Sequence, residues 1–346
     1  MEPEGRFSVA RVARAWYVAC ASRDLREKPL ARTILGIPIV LFRAAGGTPA
    51  VLLDRCAHRN APLSLGRTIG GELQCAYHGW RYDGAGACVD VPGLIGEAER
   101  TPRSVPRFAA RERDGYVWVY AEANAEPAGE PFRLSPVTDG YTEVRRSVEV
   151  ESTLHGALEN ALDVPHTAFL HKGLFRGAGA KKRIRVRVAR TGDRVEAEYI
   201  GEPRPEGIAG KMLSPSGGVV THFDRFILPS IAQVEYRLGE ENHFLITTLC
   251  TPVEDFRTRL NAAILFRTRF PGWLVRLLIE PVARRIFNQD AAMLKHQTEA
   301  ARRFGGERYT STETDVLGLQ IWQLLKRAER GEAPAEDWRR EFEMEV

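Results

Sequence analysis

Cysteine is scarce in this chain, and what there is lies scattered: Cys20, Cys56, Cys75, Cys88 and Cys250 are the only five in 346 residues. An odd, dispersed set is no disulfide framework, so a stapled secreted scaffold is excluded. Long apolar runs are missing as well. Nothing approaches the ~18 to 20 consecutive apolar residues that a membrane-spanning helix needs, and the opening Met1-Glu2-Pro3-Glu4 lacks the basic start of a signal peptide. The expectation is a cytoplasmic chain with no membrane span. Charge of one sign is absent too: the net charge is +4, with basic and acidic residues interleaved along the chain. That argues against nucleic acid, whose binders gather Lys and Arg on one face. No internal repeat is visible.

What remains is ordinary globular composition, 44% hydrophobic and 27% charged, in a length that favours two domains. Short runs rich in Ile, Val and Phe and broken by Gly and Pro, such as Trp16-Tyr17-Val18-Ala19, Ile37 to Phe42 and Tyr116 to Tyr120, read as strands. The first ~120 residues therefore form a small all-β module. Residues 123–137 hold Pro127, Gly129, Pro131 and Pro136 and read as a linker, which sets expected domains of 1–130 and 131–346. Beyond the linker, strict alternation over 183–200 predicts half-buried antiparallel strands, with further strands at 219–237 and 243–252. Helices are expected from Thr153 to about Leu170, from Gly272 to Ala301 with a kink or break at Pro281, and from Thr314 to Glu329. Gly201 to Gly218 reads as a long loop. A sheet with helices on one side makes the fold class α+β.

Two of the cysteines carry the chemistry. Cys56-Ala57-His58 and Cys75-Ala76-Tyr77-His78 each present one thiolate and one imidazole from a single turn. Two Cys and two His are the ligand inventory of a [2Fe–2S] centre in which imidazoles replace thiolates on one iron, the Rieske type. A closed tetrahedral zinc site uses the same residue types. Zinc fingers, however, pair Cys with Cys and His with His in each half, and here each half holds one of each. Gly66, Gly79, Trp80, Gly84 and Gly86 surround the turns with flexible backbone and one large aromatic. The other three cysteines read as small buried hydrophobes.

A second constellation lies in Asn160-Ala161-Leu162-Asp163-Val164-Pro165-His166, continuing to His171. Two histidines near a carboxylate suggest the 2-His-1-carboxylate arrangement of non-haem iron oxygenases. On a regular helix, residues five apart sit about 140° from one another. His166 and His171 share a metal only if the helix opens or ends between them, as Pro165 and Lys172-Gly173 allow. Two unrelated histidines would be the ordinary reading of this spacing alone. A one-electron cluster in the same chain needs somewhere to send its electron, which favours the metal.

With Cys56-Ala57-His58-Arg59, Leu63 to Gly66, Cys75 to Tyr82 and the Asp163-x-x-His166-x4-His171 run in view, the chain resembles, over nearly its full length, the oxygenase component (α subunit) of Rieske non-haem iron oxygenases. The shorter, α-only members are the best match. The resemblance implies an N-terminal Rieske domain with Cys56, His58, Cys75 and His78 on the cluster. It also implies a helix-grip (START-like) catalytic domain with a mononuclear Fe(II) on His166, His171 and a distant carboxylate, assigned to Asp290, with Glu280 and Glu299 as rivals. Asp163 becomes a bridge from His166 to a cluster histidine, His78, across a subunit interface, and Asn160 a pocket residue. A homotrimer is implied, as is an electron donor, ferredoxin or flavin reductase, through which NAD(P)H acts indirectly. The activity implied is O2-dependent monooxygenation, demethylation or desaturation of an organic substrate.

The substrate is less legible. Ile208, Met212, Leu213, Phe223, Phe226, Ile227 and Phe244 are apolar candidates for the pocket and lean toward a bulky polycycle such as a sterol. An aromatic-acid oxygenase or O-demethylase is the rival, and an electron carrier without catalytic iron a more distant one. Arg59, Arg67 and Arg81 are candidates for docking an acidic donor. His155, His222, His243 and His296 lack a partner pattern and read as structural or surface residues.

Overall fold

The computed structural model describes residues 7–98, 101–171, 182–203, 220–239, 242–333 and 335–345. Its chain divides into two compact units, one of Val12–Leu134 with Thr251–Glu254, the other of Met1–Arg11, Ser135–Cys250 and Asp255–Val346.

The first unit is built of short strands: β1 (Trp16–Ala21), β2 (Leu30–Ile34), β3 (Ile37–Arg43), β4 (Pro49–Leu53), β5 (Arg67–Ile69), β6 (Glu72–Gln74), β7 (Arg81–Tyr82), β8 (Cys88–Asp90), β9 (Arg107–Phe108), β10 (Ala110–Arg113) and β11 (Tyr116–Tyr120). They form three sheets, ordered β1-β11-β10, β2-β3-β4-β9 and β5-β6-β7-β8. Between β2 and β3 the chain turns on Leu35 and Gly36, both at positive φ, the two-residue hairpin geometry that matches strand twist. Val40, Phe42, Leu52, Leu63, Leu73 and Tyr82 pack into one core together with Cys56, Cys75 and Cys88. The two ligand cysteines are therefore seated in the interior, while the tips of the ligand turns, His78 among them, are exposed. All five cysteines are free and buried.

The second unit contains β12 (Thr142–Val150), α1 (Leu154–Ala161), α2 (Thr167–Leu170), β13 (Arg183–Gly192), β14 (Arg194–Ile200), β15 (Val220–Ile227), β16 (Ile231–Leu238), β17 (Asn242–Glu254), β18 (Arg257–Arg267), α3 (Gly272–Arg303), α4 (Gly318–Glu329) and β19 (Ala335–Glu345). Its eight-stranded sheet runs β12-β18-β17-β16-β15-β14-β13-β19. Val144, Ile264 and Phe266 of the sheet pack against Val275 of α3, with Phe244, Ile246 and Phe287 beside them. One face of the sheet is thus covered by the long helix. The α+β class expected from the sequence is what is observed.

Three elements differ from expectation for physical reasons. The helix expected over 153–170 breaks: α1 is capped by the Thr153 hydroxyl, which accepts from Gly156 N, and ends at Leu162. Pro165 disfavours a helical Val164, so a new, one-turn helix starts only at His166. At Pro281 the break, one of the two expected outcomes, does not occur, and α3 continues through it for its full 32 residues. The last strand, β19, has no counterpart in the sequence reading. Its side chains are mostly exposed, so apolar alternation is missing, and cross-strand pairs such as Arg187–Glu341 and Arg185–Glu341 line it against β13 instead.

Candidate metal centres

The two ligand turns of the first unit have the same closure. Asn60 N donates to Cys56 O at 3.0 Å and Gly79 N to Cys75 O at 3.2 Å; Cys56 N in turn donates to Ala61 O at 2.9 Å and Cys75 N to Trp80 O at 2.8 Å. The residue closing each turn is left-handed, Asn60 at φ 59° and Gly79 at φ 75°, and these are residue types that tolerate it. Gly66 is needed for a different reason, since a Cβ there would lie 1.9 Å from Gln74 O.

Between these turns His58 and His78 meet with ring centroids 4.5 Å apart, and Trp80 stacks flat on His58 at 4.7 Å and 3°. His58 Nδ1 is buried without a hydrogen-bond partner. Such an orphan is costly unless something takes it up, and a metal-ligand bond does so. Desolvation, then the neighbouring His78 and Arg59, hold His58 below its usual pKa, which favours the neutral imidazole that ligates metal. Buried thiols at Cys56 and Cys75 complete a donor set that fits a Rieske cluster. Sequence reasoning missed Tyr82. Its hydroxyl accepts from Ala57 N at 3.3 Å and lies 3.2 Å from Cys56 Sγ, toward which its own proton is then free to point.

In the second unit His166 and His171 stand at the two ends of α2, which removes the angular difficulty of a continuous helix. Asp290 reaches them from α3. Its Oδ1 lies 3.0 Å from His171 Nε2 and 3.6 Å from His166 Nε2, and one ligand atom from each residue falls within 4.8 Å of the others. Both imidazoles are held from behind. His166 Nδ1 is 3.1 Å from Asp163 Oδ2, which also accepts from His166 N at 3.2 Å, and His171 Nδ1 donates to Gln289 Oε1 at 3.1 Å. The Nε2 atoms therefore face Asp290, and an oxygen and two nitrogens converge on one point. Asp290 Oδ1 is buried with no hydrogen bond of normal geometry. The set fits a divalent iron with open positions. Burial opposes charge on His166, but Asp163 and Asp290 outweigh it and push its pKa up to about 9.

Glu280 pairs with Arg146 and Glu299 with Lys295, so neither rival reaches the histidines. Asn160 sits half-buried near the end of α1 and enters none of the described hydrogen bonds of the site. Arg81 is neutralised by Glu72 and Asp90 and Arg67 donates to the neutral Gln74, which leaves Arg59 as the donor-docking candidate with neither an ion pair nor a side-chain hydrogen bond among those described. Ile208, Met212 and Leu213 lie outside the described residues. Of the other pocket candidates, Phe226 and Phe244 share the helix-covered face of the sheet, whereas Phe223 and Ile227 are one residue out of phase and point to the other side. Gln289 was legible only as the neighbour of Asp290.

A cluster-binding β module and a sheet-and-helix unit with a 2-His-1-carboxylate site define the class, an iron–sulfur oxygenase component. Residues 15–101 match the Rieske [2Fe-2S] domain, and residues 150–331, more than half the chain, match the vanillate O-demethylase oxygenase C-terminal domain. The chain belongs to this family of Rieske oxygenase components. The cofactors that go with that membership are the [2Fe–2S] cluster and a mononuclear iron.

Among curated relatives, the oxygenase component of dicamba O-demethylase from Stenotrophomonas maltophilia is 39% identical over 163 residues, 46% of this chain and 48% of that one. Protein TIC 55 of Arabidopsis thaliana chloroplasts is 29% identical over 318 residues, 86% of this chain and 56% of that one. The chain spans about half the length of the curated relatives it matches. The crystal structure of dicamba monooxygenase bound to 3,6-dichlorosalicylic acid superposes with a TM-score of 0.78 at 24% identity, covering 93% of this chain and 98% of that one. NdmB of Pseudomonas putida CBB5 gives a TM-score of 0.76 at 22% identity, covering 94% of each. At such identities the likeness speaks for the fold. No helix among the described residues is long and apolar enough to cross a membrane.

Proposed function

We propose that the chain is the oxygenase component of a Rieske non-haem iron monooxygenase that uses O2 to oxidise an organic substrate, by demethylation first among the options. Its electrons come from a separate ferredoxin or flavin reductase, with NAD(P)H acting only through that partner. The observation that carries the reading is the convergence of His166, His171 and Asp290 on one point, each histidine oriented by its own partner. When bound, the cluster supplies single electrons and the iron a site that activates O2.

The chain's own residues have defined tasks. Cys56, His58, Cys75 and His78 hold the cluster; His166, His171 and Asp290 hold the iron. Asp163 keeps the proton on His166 Nδ1 so that Nε2 carries the lone pair, and in a homotrimer its exposed side is the natural contact for a neighbour's His78. Asn160 lines the approach to the iron. Residues 1–130 serve electron transfer and 131–346 substrate oxidation, in the cytoplasm. Demethylation is supported by relatives whose names state it, dicamba O-demethylase and methylxanthine N1-demethylase. The lean toward a sterol has less behind it, because only Phe226 and Phe244 of its described residues share the face that α3 covers.

The test is iron per chain on anaerobically prepared protein, with EPR of the dithionite-reduced cluster, for wild type and His166→Ala. Three irons falling to two with the Rieske signal retained supports the reading. Two irons in both would leave an electron carrier without a catalytic centre.

A further inference from the structure

The long helix α3 has two unlike sides. Its inner side is held to the sheet at Gly272, where a Cβ would lie 1.8 Å from Thr142 Oγ1, and by Val275 and Phe287, which pack with Val144, Ile264 and Phe266. Asp290 comes off that same side, about five turns after Gly272. With about 100° between successive residues, Trp273, Leu274, Leu277 and Pro281 fall together on the side turned away. Trp273 is 68% exposed and Leu277 63%, with Leu274 and, just before the helix, Phe270 exposed beside them. Apolar residues at the i, i+3, i+4 and i+7 spacing ordinarily face a core. From Phe270 to Leu277 they face outward, and a contiguous exposed apolar patch of this kind marks a contact surface.

The charge along the same side is of one sign. From Thr268 to Gln289 the sequence holds four arginines and a single acid, Glu280, and Glu280 is taken by Arg146 and Arg276. Arg284 and Arg285 lie about two turns beyond Leu277 on the outward side. Both are exposed, and neither enters a described hydrogen bond or ion pair. A groove of about 410 Å³ opens beside them, lined also by Pro281 and Asn288.

We infer that the outward side of α3 is a lipid-docking surface that rests on a membrane with anionic headgroups. Phe270, Trp273, Leu274 and Leu277 enter the boundary between headgroups and acyl chains, and Arg284 and Arg285 take headgroup phosphates at the groove. An interfacial helix combines these parts: an apolar strip that includes Trp, basic residues beside it, and no span. Guanidinium groups pair with phosphate through two parallel hydrogen bonds. A second copy of the chain fits the same side poorly, because a two-fold contact would set Arg284 and Arg285 against their own equivalents. The inference is independent of the oxygenase reading, since it concerns the back of the helix whose inner side supplies Asp290.

The test is flotation of the cluster- and iron-loaded full chain with vesicles of phosphatidylcholine alone, or of phosphatidylcholine and phosphatidylglycerol in equal parts. The expected result is binding to the anionic vesicles that weakens as salt is raised, and binding to the neutral ones weaker by about tenfold or more. A basic residue near an anionic surface contributes about fivefold, so Arg284→Gln combined with Arg285→Gln should weaken binding about 30-fold. Trp273→Ser combined with Leu277→Ser should weaken it at least as much. With brominated acyl chains, part of the tryptophan fluorescence should be quenched, and that part should vanish in Trp273→Phe. Iron content and the reduced-cluster EPR signal identify the variants that fold.

No binding to anionic vesicles, equal binding to both kinds, affinity unmoved in the folded variants, or fluorescence that does not quench overturns the inference. An oligomer that Trp273→Ser with Leu277→Ser dissociates in sedimentation velocity overturns it as well, and would give this side of α3 to a second copy of the chain.

Discussion

Gln289 Oε1 accepts the Nδ1 proton of His171 at 3.1 Å, so the residue preceding the carboxylate ligand candidate orients a histidine 118 positions earlier. Neighbouring residues of α3 thus address the same metal in two ways, one as an oxygen donor and one through the imidazole. Gln289→Leu is expected to lower iron affinity about 10- to 100-fold, the usual cost of removing such a partner. Competition with a chelator reads the loss, and the reduced-cluster EPR signal should stay unchanged.

Asp163 plays the corresponding role for His166, through both the ring and the backbone nitrogen. In Asp163→Asn the carboxylate charge goes while the shape stays. Product formation should fall by about 100-fold with cluster content intact and cluster reduction by dithionite undiminished. Equal loss of cluster would instead indicate a folding defect.

Tyr82 sits under the cluster turn, 3.2 Å from Cys56 Sγ. A hydrogen bond to a cluster thiolate stabilises the more negative, reduced state. Tyr82→Phe should therefore lower the cluster midpoint. If about 1 kcal/mol of hydrogen bonding is lost from the reduced form, the shift is about 40 mV for one electron. Redox titration followed by EPR measures it.

The buried His222 also sets a pH dependence. It is faced by Glu202 and Asp224 and stacked between Tyr199 and Tyr236, and its pKa of about 9 lies above the ~6.5 of an unfolded histidine. The raised value means that its contribution to stability is complete below pH 6.5 and is lost as pH rises through about 9. Thermal unfolding between pH 7 and pH 10 should show a decline, at most about 3 kcal/mol from this group, that His222→Gln flattens.

The cluster turns were the most legible part of the chain, because a thiolate and an imidazole two or three residues apart constrain the backbone locally. The iron site was readable only in part. His166 and His171 are close in sequence, yet their usable geometry depends on Pro165 ending one helix and on a one-turn helix following it. Asp290 and Gln289 arrive from a distant helix, and no spacing rule joins them to His171. The His222 cluster had a visible half, since His222 and Asp224 two apart on a strand share a face, while Glu202 comes from the neighbouring strand's end. β19 was hidden because its alternation is one of charge rather than hydrophobicity.

That last strand has a consequence for how the protein behaves in concentrated solution. It occupies one margin of the eight-stranded sheet, where unpaired backbone groups would otherwise invite another chain to add on. Arg339, Arg340, Glu341, Glu343 and Glu345 stud it with ions of both signs, which an incoming strand would have to strip of water before pairing. The same residues that make β19 hard to recognise guard the margin against self-association.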